Sequence, residues 1–253
     1  MSAYIKKEIT EYMRTGRMII LGLIFIFFGI LNPAMAKLTP WLMEQLAGEM
    51  ERSGFKIGEV TVSNLSSWEQ YFKNLPMIMM VFVLVIGGAF AAEYKSGGFI
   101  FAVTRGLKRD RIVLSKWSML NLLWTVLFAV HTGITYGYTV YFWGSEGVTS
   151  LGLSMFFWWL YGVWMISLFV LMAVLLPTVS GALGGTAAVY FAIYLAGMIP
   201  AVSKYLPTFL TGGMSLITGE NVSGDYTAAA VIAGVSAAVM LAGAVMIFRK
   251  KQL

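Results

Sequence analysis

Few side chains in this sequence could carry out covalent or metal chemistry. The chain has no cysteine and one histidine, His131, which excludes thiol nucleophiles, disulfides and cysteine-based zinc sites. A single histidine also supplies too few ligands for a catalytic zinc ion. No Gly-rich phosphate-binding loop is present, so any ATP that drives this protein must be hydrolysed by another chain. We therefore expect no catalytic residue, no metal and no cofactor on this chain.

The densest group of ionisable residues lies between Glu93 and Lys116. This segment, EYKSGGFIFAVTRGLKRDRIVLSK, separates two long apolar runs and contains only two acids, Glu93 and Asp110. Its cations are Lys95, Arg105, Lys108, Arg109, Arg111 and Lys116. Such a cluster beside membrane spans is typical of a cytoplasmic loop. The same cations would also suit anionic lipid headgroups, and the two roles are compatible.

The composition places these residues in a membrane protein. Of the 253 residues, 58% are hydrophobic and 12% are charged, whereas a soluble domain has about 25% charged residues. The formal charge of +6 does not indicate nucleic-acid binding, because the cations lie beside apolar runs, where they set the membrane orientation. The sequence predicts an all-α polytopic membrane protein with no nucleic-acid partner.

Six apolar runs approach or exceed the ~20 residues that cross a hydrocarbon core. They are residues 18–36, 75–92, 117–143, 153–176, 183–202 and 227–248. With both termini in the cytoplasm, thirteen of the eighteen lysines and arginines fall on the inner side, which has net charge +9 against −3 outside. This distribution obeys the positive-inside rule and predicts a multi-pass protein of the cell membrane.

Residues 1–17 have the pattern of an amphipathic helix, followed by a single six-helix domain at 18–253. The apolar positions are Ile5, Ile9, Tyr12 and Met13, and the polar ones are Lys6, Lys7, Glu8, Glu11 and Arg14. We expect the helix to lie in the membrane plane, although an ordinary solvated helix shows the same pattern. A signal peptide cleaved after Ala36 is the alternative to a first span, but the long head with two glutamates favours the span.

The segments outside the spans are predicted to be irregular. Residues 37–74 form a large outer loop with a short amphipathic helix between Trp41 and Met50, and Pro76 lies in the first turn of the second span. The acids of this loop could attract a cationic substrate or could simply be solvated. Residues 204–226 are apolar but broken, which favours a hairpin that dips into the membrane. Ala230, Gly234, Ala238 and Ala242 form one smooth helix face that is suited to close packing.

Three side chains are candidates for a substrate path. His131 is an ionisable residue at membrane depth, where such residues are often functional, but a hydrogen bond to a serine, threonine or tyrosine of another helix is the favoured explanation. Trp158 and Trp159 belong to the aromatic run FFWWLYGVW. This run could line an apolar path or form an interfacial aromatic belt.

The order of these features resembles the ABC-2 type permeases, the membrane subunits of ATP-driven exporters. The features are the N-terminal amphipathic helix, the outer loop, the E-x-K-S-G…R-x-x-x-x-K pattern of 93–116 and the broken hairpin before the last span. The chain has Gly97-Gly98 where many family members have Gly-Thr. The resemblance implies two permease subunits, identical or related, on two cytoplasmic ATPase subunits that hold ATP and Mg. It further implies that the first and fifth spans line the seam between the permeases.

In this family the N-terminal helix and the first cytoplasmic loop, here residues 93–116, meet the ATPases. The resemblance therefore implies that Glu93, Arg105, Lys108, Arg109 and Arg111 contact the ATPase or orient that contact. Export of a hydrophobic or amphipathic substrate, favoured as a peptide such as an antimicrobial peptide, is the expected function. Export of a small drug or an ion is the alternative. An intramembrane enzyme or a secondary transporter fits less well, because the spans lack acidic ligands and coupling carboxylates.

Overall fold

The computed structural model describes residues 2–51 and 62–251, and these residues form helices with no β-strand. The long helices are α1 (Ser2–Arg14), α2 (Arg17–Glu51), α3 (Asn64–Ile86), α6 (Arg109–Trp143), α7 (Leu151–Leu175), α8 (Val179–Ala196) and α11 (Thr227–Lys250). The short helices are α4 (Ala91–Ser96), α5 (Gly98–Thr104), α9 (Pro200–Ser203) and α10 (Gly213–Ile217), with 3₁₀ turns at Pro207–Thr211 and Ser223–Tyr226.

Six of these helices are long and apolar enough to cross a membrane, as predicted. They are α2, α3, α6, α7, α8 and α11. Contacts of α1 and of the end of α11 with the first turns of α6 gather three cation-bearing segments at one end of the bundle. We call this end, formed by α1, residues 93–116 and residues 249–251, the basic end. That it faces the cytosol remains a prediction.

The described residues of the predicted outer loop at 37–74 are more helical than expected, and the predicted helix between Trp41 and Met50 is part of α2. Helix α2 continues without a break to Glu51, and α3 already begins at Asn64. The 35 residues of α2 extend about 52 Å, well beyond a hydrocarbon core of about 30 Å. The predicted span ended where charged residues begin. Charged residues do not end the helix itself, which can continue into water. Residues 52–61 of that loop lie outside the described part of the chain.

Two prolines lie inside α2, and one of them shows how the helix remains intact. Pro33 has no N–H to donate to the carbonyl of Gly29. The hydroxyl of Thr135 on α6 donates to that carbonyl instead, at 3.0 Å. Gly29 also allows the backbones to approach, because a Cβ atom there would lie 3.2 Å from the carbonyl oxygen of His131. A neighbouring helix thus supplies the hydrogen bond that the proline removes.

The segment 93–116 is more helical than predicted. It contains most of α4, the whole of α5 and the first two turns of α6, which begins at Arg109 instead of near Trp117. Gly97 joins α4 to α5 with φ of 68°, a left-handed conformation that favours glycine. Pro76 lies well inside α3, because that helix starts eleven residues earlier than the predicted span. The predicted spans were limited to apolar residues, whereas α3 and α6 each begin with polar residues. Both helices therefore start earlier than the predicted spans.

The packed core surrounds Trp124 of α6. Its indole contacts Phe25, Phe82 and Phe128 at ring-centroid distances of 6.1, 5.4 and 5.2 Å. On the remaining side it rests against Gly162 of α7, where a Cβ atom would lie 2.2 Å from the indole. Helices α6 and α7 can therefore approach at this level only because residue 162 has no side chain.

The small-residue face of α11 is not the one that the sequence predicted. Ala229, Ala233 and Ala237 are buried, and α11 has its most extensive contacts with α7. Gly234, Ala238 and Ala242 of the predicted face are exposed. Two neighbouring faces of this helix have small residues four positions apart, so the spacing of small residues could not show which face is packed.

The broken hairpin before α11 is confirmed. Its turn exposes the carbonyls of three consecutive residues, Thr211, Gly212 and Gly213. The Trp158 indole N–H, the Tyr226 hydroxyl and the Ser154 hydroxyl donate to them at 3.1, 2.6 and 3.3 Å, respectively. Irregular backbone is tolerated at membrane depth where protein groups satisfy it. Trp158 and Ser154 belong to α7 and fix the hairpin on that helix, whereas Tyr226 joins the turn to the start of α11.

The contact between Trp124 and Gly162 predicts the effect of adding one methyl group. Gly162→Ala forces the buried indole to shift and should destabilise the fold by about 1–3 kcal/mol. Gly152→Ala is the matched control on the same helix, because the space around Gly152 is open. Thermal unfolding of the detergent-solubilised protein measures both variants. Equal melting temperatures for the two would contradict the packing described.

Candidate functional site

A cluster of buried charges joins three segments at the basic end. The Lys116 ammonium group of α6 lies 2.9 Å from the Glu8 carboxylate of α1 and 3.5 Å from the Glu93 carboxylate of α4. It also donates to the carbonyl of Ala89 at 2.8 Å. The three charged side chains are only 2–4% exposed. We call this group the Glu8–Lys116–Glu93 cluster.

Two further residues of α1 complete the contacts of Glu93. The Tyr4 hydroxyl donates to this carboxylate at 2.6 Å, and the Lys7 ammonium group donates to its other oxygen. Burial would lower the pKa of Lys7, but the hydrogen bond and charge of Glu93 outweigh it and raise that pKa. Burial raises the pKa of Glu8, an effect that Lys116 opposes only in part. The cluster therefore fixes geometry at some cost in desolvation.

This arrangement corrects the predicted polar face of α1 and refines the role of Glu93. Glu8 is 2% exposed and points into the protein, although its position in the helix predicted a solvated side chain. Glu93 is 3% exposed, and its carboxylate oxygens are used within the chain. Of the two roles expected for it, orientation is the one that this geometry favours. No local pattern indicates that Glu8 and Lys116, 108 positions apart, would meet.

The surface of the basic end combines exposed apolar and cationic side chains. On α5, Ile100 is 49% exposed and Phe101 is 65% exposed. Arg105, Lys108 and Arg111 follow and are also exposed. An exposed apolar patch beside polar residues is typical of a protein–protein contact. We call these five residues the coupling surface.

Arg109 is separated from this surface by contacts within the chain. Its guanidinium donates to the carbonyl oxygens of Arg249 and Lys251, at 3.0 and 2.6 Å. The neighbouring Asp110 accepts two hydrogen bonds from Arg249, both 2.5 Å long. Among the five residues predicted to meet an ATPase, Arg109 therefore binds the end of α11, whereas Arg105, Lys108 and Arg111 remain exposed.

A crevice of about 1140 Å³ lies between α3, α7 and α8. Helix α8 packs chiefly on α7, and Ala182 and Thr186 are its buried residues, so a space remains between α8 and α3. The lining is rich in methionine and tyrosine: Met77, Met79, Met80, Met165 and Met198, with Tyr161, Tyr190 and Tyr194. None of the described lining residues is charged.

Different elements border the two ends of the crevice, which is open along part of its length. Near the basic end, Leu183 of α8 packs on Gly87, where a Cβ atom would lie 3.0 Å from the leucine methyl carbons. At the other end, the hairpin residues Thr208, Phe209 and Thr211 cover it. Gly181 and Gly185 bring the start of α8 close to Leu176 and Met172 at the end of α7. The crevice is thus an elongated apolar cavity along the spans.

The two tryptophans predicted for a substrate path lie on different faces of α7. Trp158 is 1% exposed and lines the crevice, where its ring contacts Tyr161 at 5.5 Å. Trp159 turns away, and its indole N–H donates to the Thr125 hydroxyl of α6 at 2.9 Å. One helix position separates two environments, because consecutive side chains on a helix point about 100° apart.

His131 lies inside the bundle of α2, α3 and α6, away from the crevice. Its side chain is fully buried, stacks on Tyr71 at 4.9 Å and places Nδ1 3.0 Å from the carbonyl of Phe25. Nε2 has no hydrogen-bond partner among the described residues. The contact joins two helices, as expected, but its partner is the backbone carbonyl of Phe25 and not a serine, threonine or tyrosine side chain.

The fold and these sites define a polytopic, all-helical membrane protein with an apolar crevice between three helices and a basic surface at one end. A family model described as "ABC-2 family transporter protein" matches residues 3–214. The chain belongs to this family, whose members are membrane subunits of ABC transporters that work with separate ATPase subunits. It is also 25% identical over 218 residues to the uncharacterized transmembrane protein YxlG of Bacillus subtilis (strain 168). That match covers 82% of this chain and 80% of YxlG.

The buried cluster predicts a non-additive effect on stability. Lys116→Met leaves two carboxylates without their shared cation and should destabilise the fold by about 3–5 kcal/mol. Lys116→Met combined with Glu8→Gln removes one of those charges as well and should recover much of the loss. Thermal unfolding measures these two variants and Glu8→Gln alone, with the exposed Lys95→Met as the control. Additive losses would show that Glu8 and Lys116 do not interact.

Proposed function

We propose that this chain is the permease subunit of an exporter that moves a hydrophobic or amphipathic peptide out of the cell. Cytosolic ATPase subunits would dock at the basic end and supply the energy, and a second permease, identical or related, would complete the complex. The observation that carries the proposal is the uncharged crevice along α3, α7 and α8. The exposed apolar side chains of α8, among them Phe191 and Leu195, are consistent with a permease partner.

The lining of the crevice supports an apolar substrate of variable shape. Methionine side chains are flexible and polarisable, so they adapt to irregular ligands. The hydroxyls of Tyr161, Tyr190 and Thr186 can orient a peptide group or another polar group of the ligand. A charged ligand would find no counter-charge among the described lining residues. An ion is therefore a poor candidate for this path.

The size of the crevice is sufficient for a peptide segment. Its volume of about 1140 Å³ lies at the upper end of the sites that hold drug-sized ligands, which measure about 300–1,000 Å³. Its long shape, from Leu183 to the hairpin, suits an extended or helical segment. Transport also requires two conformations whose balance depends on the nucleotide state of the ATPase.

The coupling surface supports docking of an ATPase. Phe101 offers an aromatic anchor, and Arg105 and Arg111 surround it with positive charge. Aromatic and arginine side chains contribute most of the binding energy at many protein interfaces. The cluster below α5 holds α1, α4 and α6 together, so this surface is supported by a rigid base.

A single substitution in the crevice tests the substrate site. Tyr194→Ala removes a ring that lines the crevice, and should weaken peptide binding by about tenfold, the effect of about 1.4 kcal/mol. Phe191→Ala is the control, because this ring lies one turn away on α8 with similar exposure but does not line the crevice. The measurement is peptide-stimulated ATPase activity of the reconstituted complex. Stimulation by small drugs and none by peptides would reverse the choice of substrate.

Charge reversal tests the docking of the ATPase. Arg105→Glu with Arg111→Glu replaces attraction by repulsion at the coupling surface, and should reduce the co-purified ATPase by about tenfold or more. Lys204→Glu makes the same kind of change on an exposed residue far from the basic end. The protein ratio after affinity purification gives the result. Undiminished co-purification would place the ATPase elsewhere.

A further inference from the structure

The end of α11 is attached to residues 93–116 by several contacts. Arg249, the penultimate residue of α11, forms a two-bond ion pair with Asp110 at the start of α6. The adjacent Arg109 donates to two carbonyls at the end of α11, those of Arg249 and Lys251. The last carbonyls of a helix have no partner within it, so a cation placed there satisfies them and favours the helix dipole.

An aromatic contact buries the same junction. Phe248 of α11 is 0% exposed and Phe99 of α5 is 1% exposed, with their rings 5.2 Å apart in an edge-to-face arrangement. Lys251 lies 5.0 Å from the ring of Tyr94 and donates to the carbonyl of Val174 at the end of α7. Helices α4, α5, α6, α7 and α11 therefore meet at one point, which we call the α11 clamp.

The clamp connects the coupling surface to the crevice through two helices. Phe99 faces inward on the same short helix that presents Ile100 and Phe101 outward. Helix α11 packs along α7 through its buried alanines, and α7 supplies Trp158, Tyr161 and Met165 to the crevice wall. Packed helices shift as units because well-packed interfaces deform little.

We propose that the α11 clamp is a positioning site that transmits displacement of α5 to α11, and through α11 to the crevice wall on α7. Phe248 carries the displacement by packing on Phe99, and Arg249 keeps the helix end in register through Asp110. The clamp touches neither nucleotide nor substrate. The inference rests on the proposed docking of an ATPase at the coupling surface, and it adds a route that does not pass through the Glu8–Lys116–Glu93 cluster.

The first test separates docking from transmission in the purified complex. Phe248→Ala opens a cavity between α11 and α5, and should lower peptide transported per ATP hydrolysed by about fivefold or more, the size of a typical coupling between sites. The amount of co-purified ATPase and its basal activity should stay at the wild-type level. Phe248→Leu retains apolar volume and should recover most of the coupling. Met246→Ala, on an exposed position two residues earlier, should have no effect.

A second test uses the ion pair, whose side chains are 59% and 27% exposed and can be exchanged without burying a new charge. Asp110→Arg and Arg249→Asp should each reduce transport per ATP, and the exchange of both residues should restore it. A purely structural role would change the melting temperature without this pattern of loss and recovery in coupling.

The outcomes distinguish the two proposals. Wild-type coupling in Phe248→Ala and in both single charge variants, with the ATPase still bound, would overturn the clamp and leave the proposed function intact. Failure of the wild-type chain to bind any ATPase would overturn both. If Phe248→Ala does not fold, the charge variants decide the question.

Discussion

The irregular backbone and the buried charges of this chain depend on partners that other parts of the chain supply. The energetic reason is that an unsatisfied carbonyl or charge in a dry environment costs several kcal/mol. Thr135 satisfies the carbonyl that Pro33 leaves free, and Trp158, Ser154 and Tyr226 satisfy the hairpin turn. These bonds join different helices, so the same requirement that permits irregular backbone also fixes which helices are neighbours.

At the basic end, buried charges are paired within the chain in the same way as these carbonyls. Lys116 stabilises two buried carboxylates, and the raised pKa of Glu8 indicates that the burial is not free of cost. Such clusters are better at defining one arrangement than at adding stability. Here the arrangement holds the N-terminal helix, α4 and the start of α6 together. The surface formed by α5 is thereby presented from a rigid support, which is what a site that receives mechanical displacement requires.

The apolar half of the molecule is organised differently. Around Trp124 the rings interlock, and Gly162 permits the closest approach of α6 to α7. Helix α8, by contrast, is attached mainly on one side, and methionines line much of the space beside it. One region is tightly packed, and the crevice beside α8 is adaptable. This combination is consistent with a transporter, whose substrate site must change shape while the helices around it keep their packing. Leu183 packs on Gly87 at the end of the crevice that is nearer the basic end.

The sequence by itself determined the six spans, the broken hairpin, the three basic segments and the family. These features depend on hydropathy and charge summed along the chain, so no knowledge of contacts is needed. Tertiary structure decided the rest. It placed Glu8 against Lys116, buried Glu93, turned Trp159 away from the crevice and selected Ala229, Ala233 and Ala237 as the packed face of α11. It also extended α2 past the membrane, since hydropathy marks where a span ends but not where a helix ends. Partners far apart in the chain meet only after the helices pack, and local pattern carries no record of that packing.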